Sequence, residues 1–216
     1  FIVIRKYSDY SMSTAKVIIV TPAPPGSRTG NRSTAMRWAR ILKNFGCQVS
    51  VQTQWDGKPC DLLVALHARK SHDALRDFRK CHPDRPALLA LTGTDIYRDI
   101  RQDANAAASL DMATGLIVLQ EEALEELTSK QRSKAHVIHQ SIPTCLVPAP
   151  PVRKFRICVL GHLREEKDPF CTARALGLIP DEQVEIIQAG KSLSRGMTHE
   201  AKRCMRDDSR YRWVGE

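Results

Sequence analysis

Short, continuous apolar runs recur along the chain, each bounded by turn-forming residues. The first is Lys16-Val-Ile-Ile-Val-Thr21. A run of this kind, without polar alternation, predicts a strand buried on both faces, as in a parallel sheet. After a loop, Ala35, Trp38, Ala39, Ile41, Leu42 and Phe45 recur at helical spacing. They predict a helix with Ser33 as its N-cap and Gly46 as its C′ residue. The alternation then repeats, with strands over 48–52, 61–66, 87–91, 115–119 and 135–138. Between them fall a helix over 71–80, helical segments running to about Met112, and a helix over 121–127. Strands alternating with helices of about ten residues make βαβ units, so the class is α/β with a doubly wound parallel sheet.

Four prolines within residues 141–154 interrupt the pattern and read as a stiff linker. A second series follows: strand 155–160, loop 161–168, helix 169–178, strand 184–188, a helix around 199–207 and strand 211–214. The expectation is two Rossmann-like domains, an N-terminal one over 16–140 and the start of a second over 155–216, the latter incomplete. Residues 1–15 form a tail with no partner in the pattern, and Met12 reads as the biological start. Half of a doubly wound domain leaves a sheet edge and an apolar face uncovered.

Composition narrows the class. The chain is 42% hydrophobic, 26% charged and 6% aromatic, which excludes disorder, collagen and coiled coil. No apolar run reaches the roughly 18–20 residues of a membrane helix, and no signal-peptide core is present, so a cytoplasmic protein without a membrane partner is expected. Seven cysteines, scattered and never in C-x-x-C spacing, predict reduced and mostly buried thiols. His136 and His139 would point to opposite faces of a strand, so no metal site is expected.

Charge changes the picture more. The net charge of +9 is uneven: residues 1–50 hold eight basic residues against one acidic, and the remainder 25 against 23. The excess gathers around Arg28, Arg32, Arg37, Arg40 and Lys43. Nucleic acid would call for interleaved aromatics or a recognition motif, and neither is present. A local site for a phosphate-like anion fits better.

In an open parallel sheet the loops after the strands carry the ligand. In the first, Pro25-Gly-Ser-Arg-Thr-Gly-Asn31, Gly26 and Gly30 permit close approach of backbone to a ligand, and the next helix adds N-terminal donors. The loop is neither G-x-G-x-x-G nor a Walker sequence, which disfavours a dinucleotide or ATP site, and a turn needing glycine is the alternative. The second, Leu66-His-Ala-Arg-Lys-Ser71, places His67 at a strand end. The third, Leu91-Thr-Gly-Thr-Asp95, offers Thr94 and Asp95, which as an alternative simply open the following helix. The fourth, Leu160-Gly-His-Leu-Arg-Glu-Glu-Lys-Asp-Pro169, brings His162, Arg164 and Lys167 near a helix start, an arrangement suited to a diphosphate.

The order of these loops resembles glycosyltransferases of the GT-B fold, group 1. Val20–Arg32, Trp55–Ser71, Leu91–Asp99, Cys158–Phe170 and Tyr211–Glu216 are most similar to the SenB-type selenosugar synthases of selenoneine biosynthesis. The resemblance implies transfer of a sugar, N-acetylglucosamine, from a UDP-sugar to selenophosphate, with no further cofactor. The loop chemistry accommodates this: Gly26, Arg28, Gly30, Asn31, Arg32 and Thr94 are the acceptor candidates, and His162, Arg164 and Lys167 those for the donor diphosphate. His67 and Asp95 are the catalytic candidates, orienting acceptor or donor sugar. Many relatives carry Arg where His162 stands, which leaves the guanidinium to Arg164. They also carry a glycine-rich loop and a glutamate beyond the point where this chain ends, so weak donor binding and little turnover are expected of it. The alternatives are a GT-B enzyme with an ordinary hydroxyl acceptor, a Rossmann oxidoreductase, and an inactive anion- or nucleotide-binding fragment.

Overall fold

A computed structural model describes residues 15–142 and 154–216. The tail read over 1–15 and the linker read over 141–154 therefore lie almost wholly outside the described residues. The chain divides between Thr144 and Cys145 into two compact units.

In the first unit, β1 (Lys16–Val20), β2 (Gln48–Gln52), β3 (Leu62–Leu66), β4 (Ala87–Ala90), β5 (Gly115–Val118) and β6 (Ala135–Val137) make one parallel sheet, ordered β2-β1-β3-β4-β5-β6. The apolar runs are explained by cover on both faces. Ile18, Val20, Leu63, Ala65, Leu89 and Leu116 share one core with Leu75 and Phe78 of α2 (His72–Cys81) and Leu110 of α4 (Ala104–Met112). Val17, Ile19, Val64, Leu66 and Ile117 share the other with Ala35 and Ala39 of α1 (Gly30–Asn44). The chain steps from β1 outward to β2, then crosses to β3 and continues the opposite way. This reversal opens a crevice between the carboxyl ends of β1 and β3, the place where such sheets bind ligands.

Several boundaries differ from the sequence reading. Helix α1 starts at Gly30 with Thr29 as N-cap, because the Ser33 N–H already donates to the Thr29 carbonyl at 3.1 Å. Its far end is as expected. Gly46, at φ 85°, donates to Lys43 and Cys47 donates to Leu42, the paired bonds of a Schellman ending. The stretch after β4 forms a π-helical turn (Asp95–Asp99) and a short α3 (Ile100–Gln102) before α4. Residues Glu121–Glu126 form a 3₁₀ helix rather than an α-helix, and a four-residue α5 (Ser129–Arg132) follows behind a Thr128/Gln131 capping box. An element of four residues is too short to show a helical period.

In the second unit β7 (Phe155–Leu160), β8 (Val184–Ala189) and β9 (Tyr211–Gly215) pair in parallel, with α6 (Cys171–Leu176) and α7 (Arg195–Asp207) among the connections. Helix α7 begins four residues before the expected His199, where the Ser194 hydroxyl caps the Met197 N–H at 3.2 Å. Leu163, Phe170, Leu176, Ile186, Ala201 and Tyr211 form its core, and the Tyr211 hydroxyl donates to Gln188 inside it. Strand alternation turns Cys158, Leu160 and Val214 away from that core, and all three are exposed, Leu160 by 81%.

The thiols need correcting. Among the described cysteines only Cys47 and Cys60 are buried; Cys81, Cys158 and Cys171 are exposed and Cys204 is half-buried, all without disulfides. Cys81 ends a helix, Cys171 opens one, and Cys158 lies on the uncovered sheet face, so their positions and not their residue type decide.

Candidate functional site

The first loop leaves β1 through a tight turn. Ser27 N–H donates to the Pro24 carbonyl at 3.2 Å, and Gly26, third in the turn, holds φ 81°. Proline second and glycine third is the signature of a type II turn, so Gly26 is required by the backbone itself. Gly30 is different. It sits at the first helical position without a positive φ, and a Cβ built on it would meet nothing within 4 Å. Neither conformation nor packing within the chain demands glycine there. No side chain caps the α1 N-terminus, so the first-turn N–H groups remain for water or a ligand. Arg28 beside them is exposed, and Asn31 and Arg32 are half-buried.

Across the reversal point, His67 ends β3 in a left-handed conformation at φ 78° and is only 4% exposed. A positive φ is uncommon outside glycine, and local tertiary bonds hold His67 there. Its own N–H donates to the Ala90 carbonyl and its carbonyl accepts from Ser71, which ties loop two to the end of β4. Its Nε2 lies 3.9 Å from Asp99. Burial lowers the His67 pKa below its ordinary value, against the opposing pull of Asp95 and Asp99, so the ring is neutral. Burial pushes the Asp99 carboxyl upward, but the guanidiniums of Arg69 at 3.0 Å and Arg98 at 3.2 Å outweigh it and leave the pKa lowered.

Asp95 is fully buried, and its carboxylate accepts from backbone donors of two loops: Ala68 at 3.0 Å, Thr92 at 3.0 Å and Gly93 at 2.8 Å. It locks loop three onto loop two. Thr94, half-buried, is the N-cap position of the π-helical turn but makes no side-chain cap, so the expectation that Thr94 or Asp95 opens a helix holds for the position only. Thr92, two residues earlier, has a buried hydroxyl without a partner. The structure therefore brings the His67 loop and Asp95 together, through the Ala68 N–H, on the same carboxyl edge of the sheet as the Gly26–Arg32 loop.

The fourth loop lies in the second unit. Nδ1 of His162 accepts from the Lys191 N–H at 3.1 Å, which places the neutral ring's proton on Nε2. Leu163 and Leu193 exchange backbone bonds with Lys191 and Leu163, stapling this loop to the one after β8. The Lys167 ammonium lies 3.5 Å from where a Gly161 side chain would begin, and Arg164 has a buried Nε without a partner. Gly190, which sequence reading missed, is obligatory: a Cβ there would collide with the Gly161 carbonyl and come within 2.8 Å of the His162 nitrogen. A glycine directly after the β8 apolar run was the available signal. Among the described residues no group of three or more His, Cys, Asp or Glu is placed to hold a metal ion.

No protein-family model and no curated protein matches the chain. Solved structures do. The chain is similar to HepE of Anabaena in complex with UDP and glucose, at 16% identity and a TM-score of 0.61, over 93% of this chain and 69% of that one. HepE in complex with UDP-glucose matches at 15% identity and a TM-score of 0.57, with the same coverage of 93% and 69%. A Listeria monocytogenes protein assigned as a UDP-N-acetylglucosamine 2-epimerase matches at 10% identity and a TM-score of 0.52, over 94% of this chain and 69% of that one. The fold class is thereby defined: Rossmann-like parallel sheets in two successive units, of GT-B type. Among the described residues no helix is long and apolar enough to cross a membrane.

Proposed function

We propose that this protein is a UDP-sugar-dependent glycosyltransferase of the cytoplasm, and that its acceptor is selenophosphate. The observation that carries the first part is the fold, shared with HepE in complex with UDP and glucose, together with loops at the carboxyl edges of both sheets that suit anions. The second part rests on the sequence resemblance to selenosugar synthases and on the uncapped α1 N-terminus beside Arg28 and Arg32. No metal or further cofactor enters the reading.

In this reading the selenium of selenophosphate attacks the anomeric carbon of the donor while the bond to the diphosphate breaks and UDP leaves. Selenium is a soft nucleophile already ionised at neutral pH, so no strong general base is needed. Gly30, Asn31 and the α1 dipole hold the acceptor's phosphoryl oxygens, aided by Arg28 and Arg32. Gly26 shapes that loop. His67, Thr94 and Asp95 act as positioning residues: Asp95 ties the loops and neutral His67 lies beside Asp99. Lys167 and Arg164 neutralise the charge that develops on the departing diphosphate and the Nε2–H of His162 donates a hydrogen bond to it, the stabilisation that matters most in such a step.

The test is a product assay by mass spectrometry with UDP-N-acetylglucosamine and, in parallel, selenophosphate, thiophosphate and sugar hydroxyl acceptors. A selenosugar formed one for one with UDP supports the proposal. Product with a hydroxyl acceptor alone transfers support to an ordinary GT-B enzyme, and UDP-sugar binding unaffected by His162→Ala and Lys167→Ala removes the donor assignment.

A further inference from the structure

A groove of about 490 Å³ opens on the first unit beside the carboxyl end of β2, on the far side of β1 from the reversal crevice. Pro25, Arg32, Val51, Gln52, Trp55 and Asp56 line it. Two of these residues carry unsatisfied polar atoms: Nη1 of Arg32 and Oε1 of Gln52 are both shut from water without a hydrogen-bond partner. The orientation of the Gln52 amide is set by its other end, which donates to the Ser50 hydroxyl at 3.5 Å and lies against Asp56. One orphan is thus a donor and the other an acceptor. The indole N–H of Trp55 is already committed to the Lys58 carbonyl at 2.9 Å, and its ring stands edge-on to Phe78, so Trp55 offers the groove a ring surface and not a donor.

These groups select a ligand class by elimination. An anion would satisfy Arg32 but leave the Gln52 oxygen unpaired and face the Asp56 carboxylate. A cation would suit Gln52 but oppose the Arg32 guanidinium, and the Asp56 carboxylate is already paired with Lys58 at 3.0 Å. A hydroxyl both donates and accepts, so a ring of vicinal hydroxyls meets Arg32, Gln52 and Asp56 at once. The apolar face of such a ring suits the indole of Trp55 and the side chains of Val51 and Pro25. We propose that this groove is a binding site for a neutral polyhydroxylated ring, a sugar or cyclitol, engaged through Arg32, Gln52 and Asp56 over Trp55. Arg32 and Gln52 rotate toward the ligand and in doing so gain the partners they lack. The site adjoins the anion loop and shares Pro25 and Arg32 with it, while Gln52, Trp55 and Asp56 lie outside that loop, so it stands whether or not the transferase reading does.

The experiment titrates the whole chain with myo-inositol, methyl glucoside and N-acetylglucosamine, and separately with inorganic phosphate. Readouts are amide and indole NMR shifts and Trp55 fluorescence, identified by comparison with Trp55→Phe. Saturable binding of at least one neutral ring is expected, with shifts at Gln52 and the Trp55 indole. Gln52→Leu should weaken that binding at least five-fold while leaving the thermal midpoint unchanged or raised, because it removes a buried unpaired oxygen. The proposal is overturned if no neutral ring saturates the site, if Gln52→Leu binds as the wild type does, or if phosphate alone shifts Gln52 and the Trp55 indole as a neutral ring does.

Discussion

Two glycines in one loop separate structural need from functional use. Gly26 answers to its turn, whereas Gly30 answers to nothing in the chain. Replacing Gly30 with alanine should raise the unfolding free energy by about 0.4–1 kcal/mol, since it restricts the unfolded chain without strain. If the α1 N-terminus takes the phosphoryl group, the same change should weaken selenophosphate binding several-fold, and a calorimetric titration reads both effects apart. Gly190→Ala should instead cost about 3 kcal/mol or more, because the collision is with the Gly161 backbone and φ is 152°. Urea unfolding of the variant measures it. His67 supplies a pH dependence. Its folded pKa lies below the ordinary 6.5, so the unfolded state binds the proton first as pH falls. Its contribution is complete above about pH 6.5 and is lost as pH falls toward the folded pKa. Unfolding free energies measured from about pH 7.5 to about pH 5 should therefore fall more steeply for wild type than for His67→Asn, which keeps a residue tolerant of the left-handed region.

At the scale of elements, α1 links stability to ligand binding. It is fifteen residues long with no acidic residue in its first turn and no side-chain cap. Thr29→Asp supplies both a cap and a charge favourable to the dipole, and should stabilise the helix by about 0.5–1 kcal/mol. That carboxylate would occupy the place of an anion, so stability should rise while phosphate affinity falls. A change of both quantities in the same direction would sink the idea that the helix start is an anion site. The elements themselves were readable wherever burial was two-sided. β1, β3, β4 and β5 are unbroken apolar runs, and their ends were placed within a residue or two. Legibility failed where backbone bonds rather than side-chain periodicity set the boundary. The 3₁₀ helix at Glu121–Glu126, the four-residue α5 and the early starts of α1 and α7 are all of this kind.

For the molecule as a whole, the two units differ in how well they are covered. The first buries both sheet faces; the second buries one and exposes Cys158, Leu160 and Val214 on the other. Thiol chemistry reports this directly. In the native protein Cys81, Cys158 and Cys171 should react with iodoacetamide well before Cys47 and Cys60, whose thiols are buried. Burial pushes Cys60 up to about 11, which also withholds the reactive thiolate. Mass spectrometry of timed digests gives the order, and early labelling of Cys60 would contradict the first unit's packing.

What the sequence determined by itself was the alternation of strands and helices, the parallel sheets, and the loops that carry polar chemistry, because these depend on local runs of apolar residues and on turn formers. Tertiary structure decided which loops meet. Asp95 reaches Ala68 across 27 positions, Asp99 gathers Arg69 and His67 across about 30, and Gly190 closes on Gly161. Those partnerships follow from strand order, since β3 lies beside β4 and β7 beside β8, while the placement of β1 between β2 and β3 creates the reversal crevice on one side and the groove on the other. No local pattern encodes strand order, because every buried parallel strand presents the same apolar run to its neighbours.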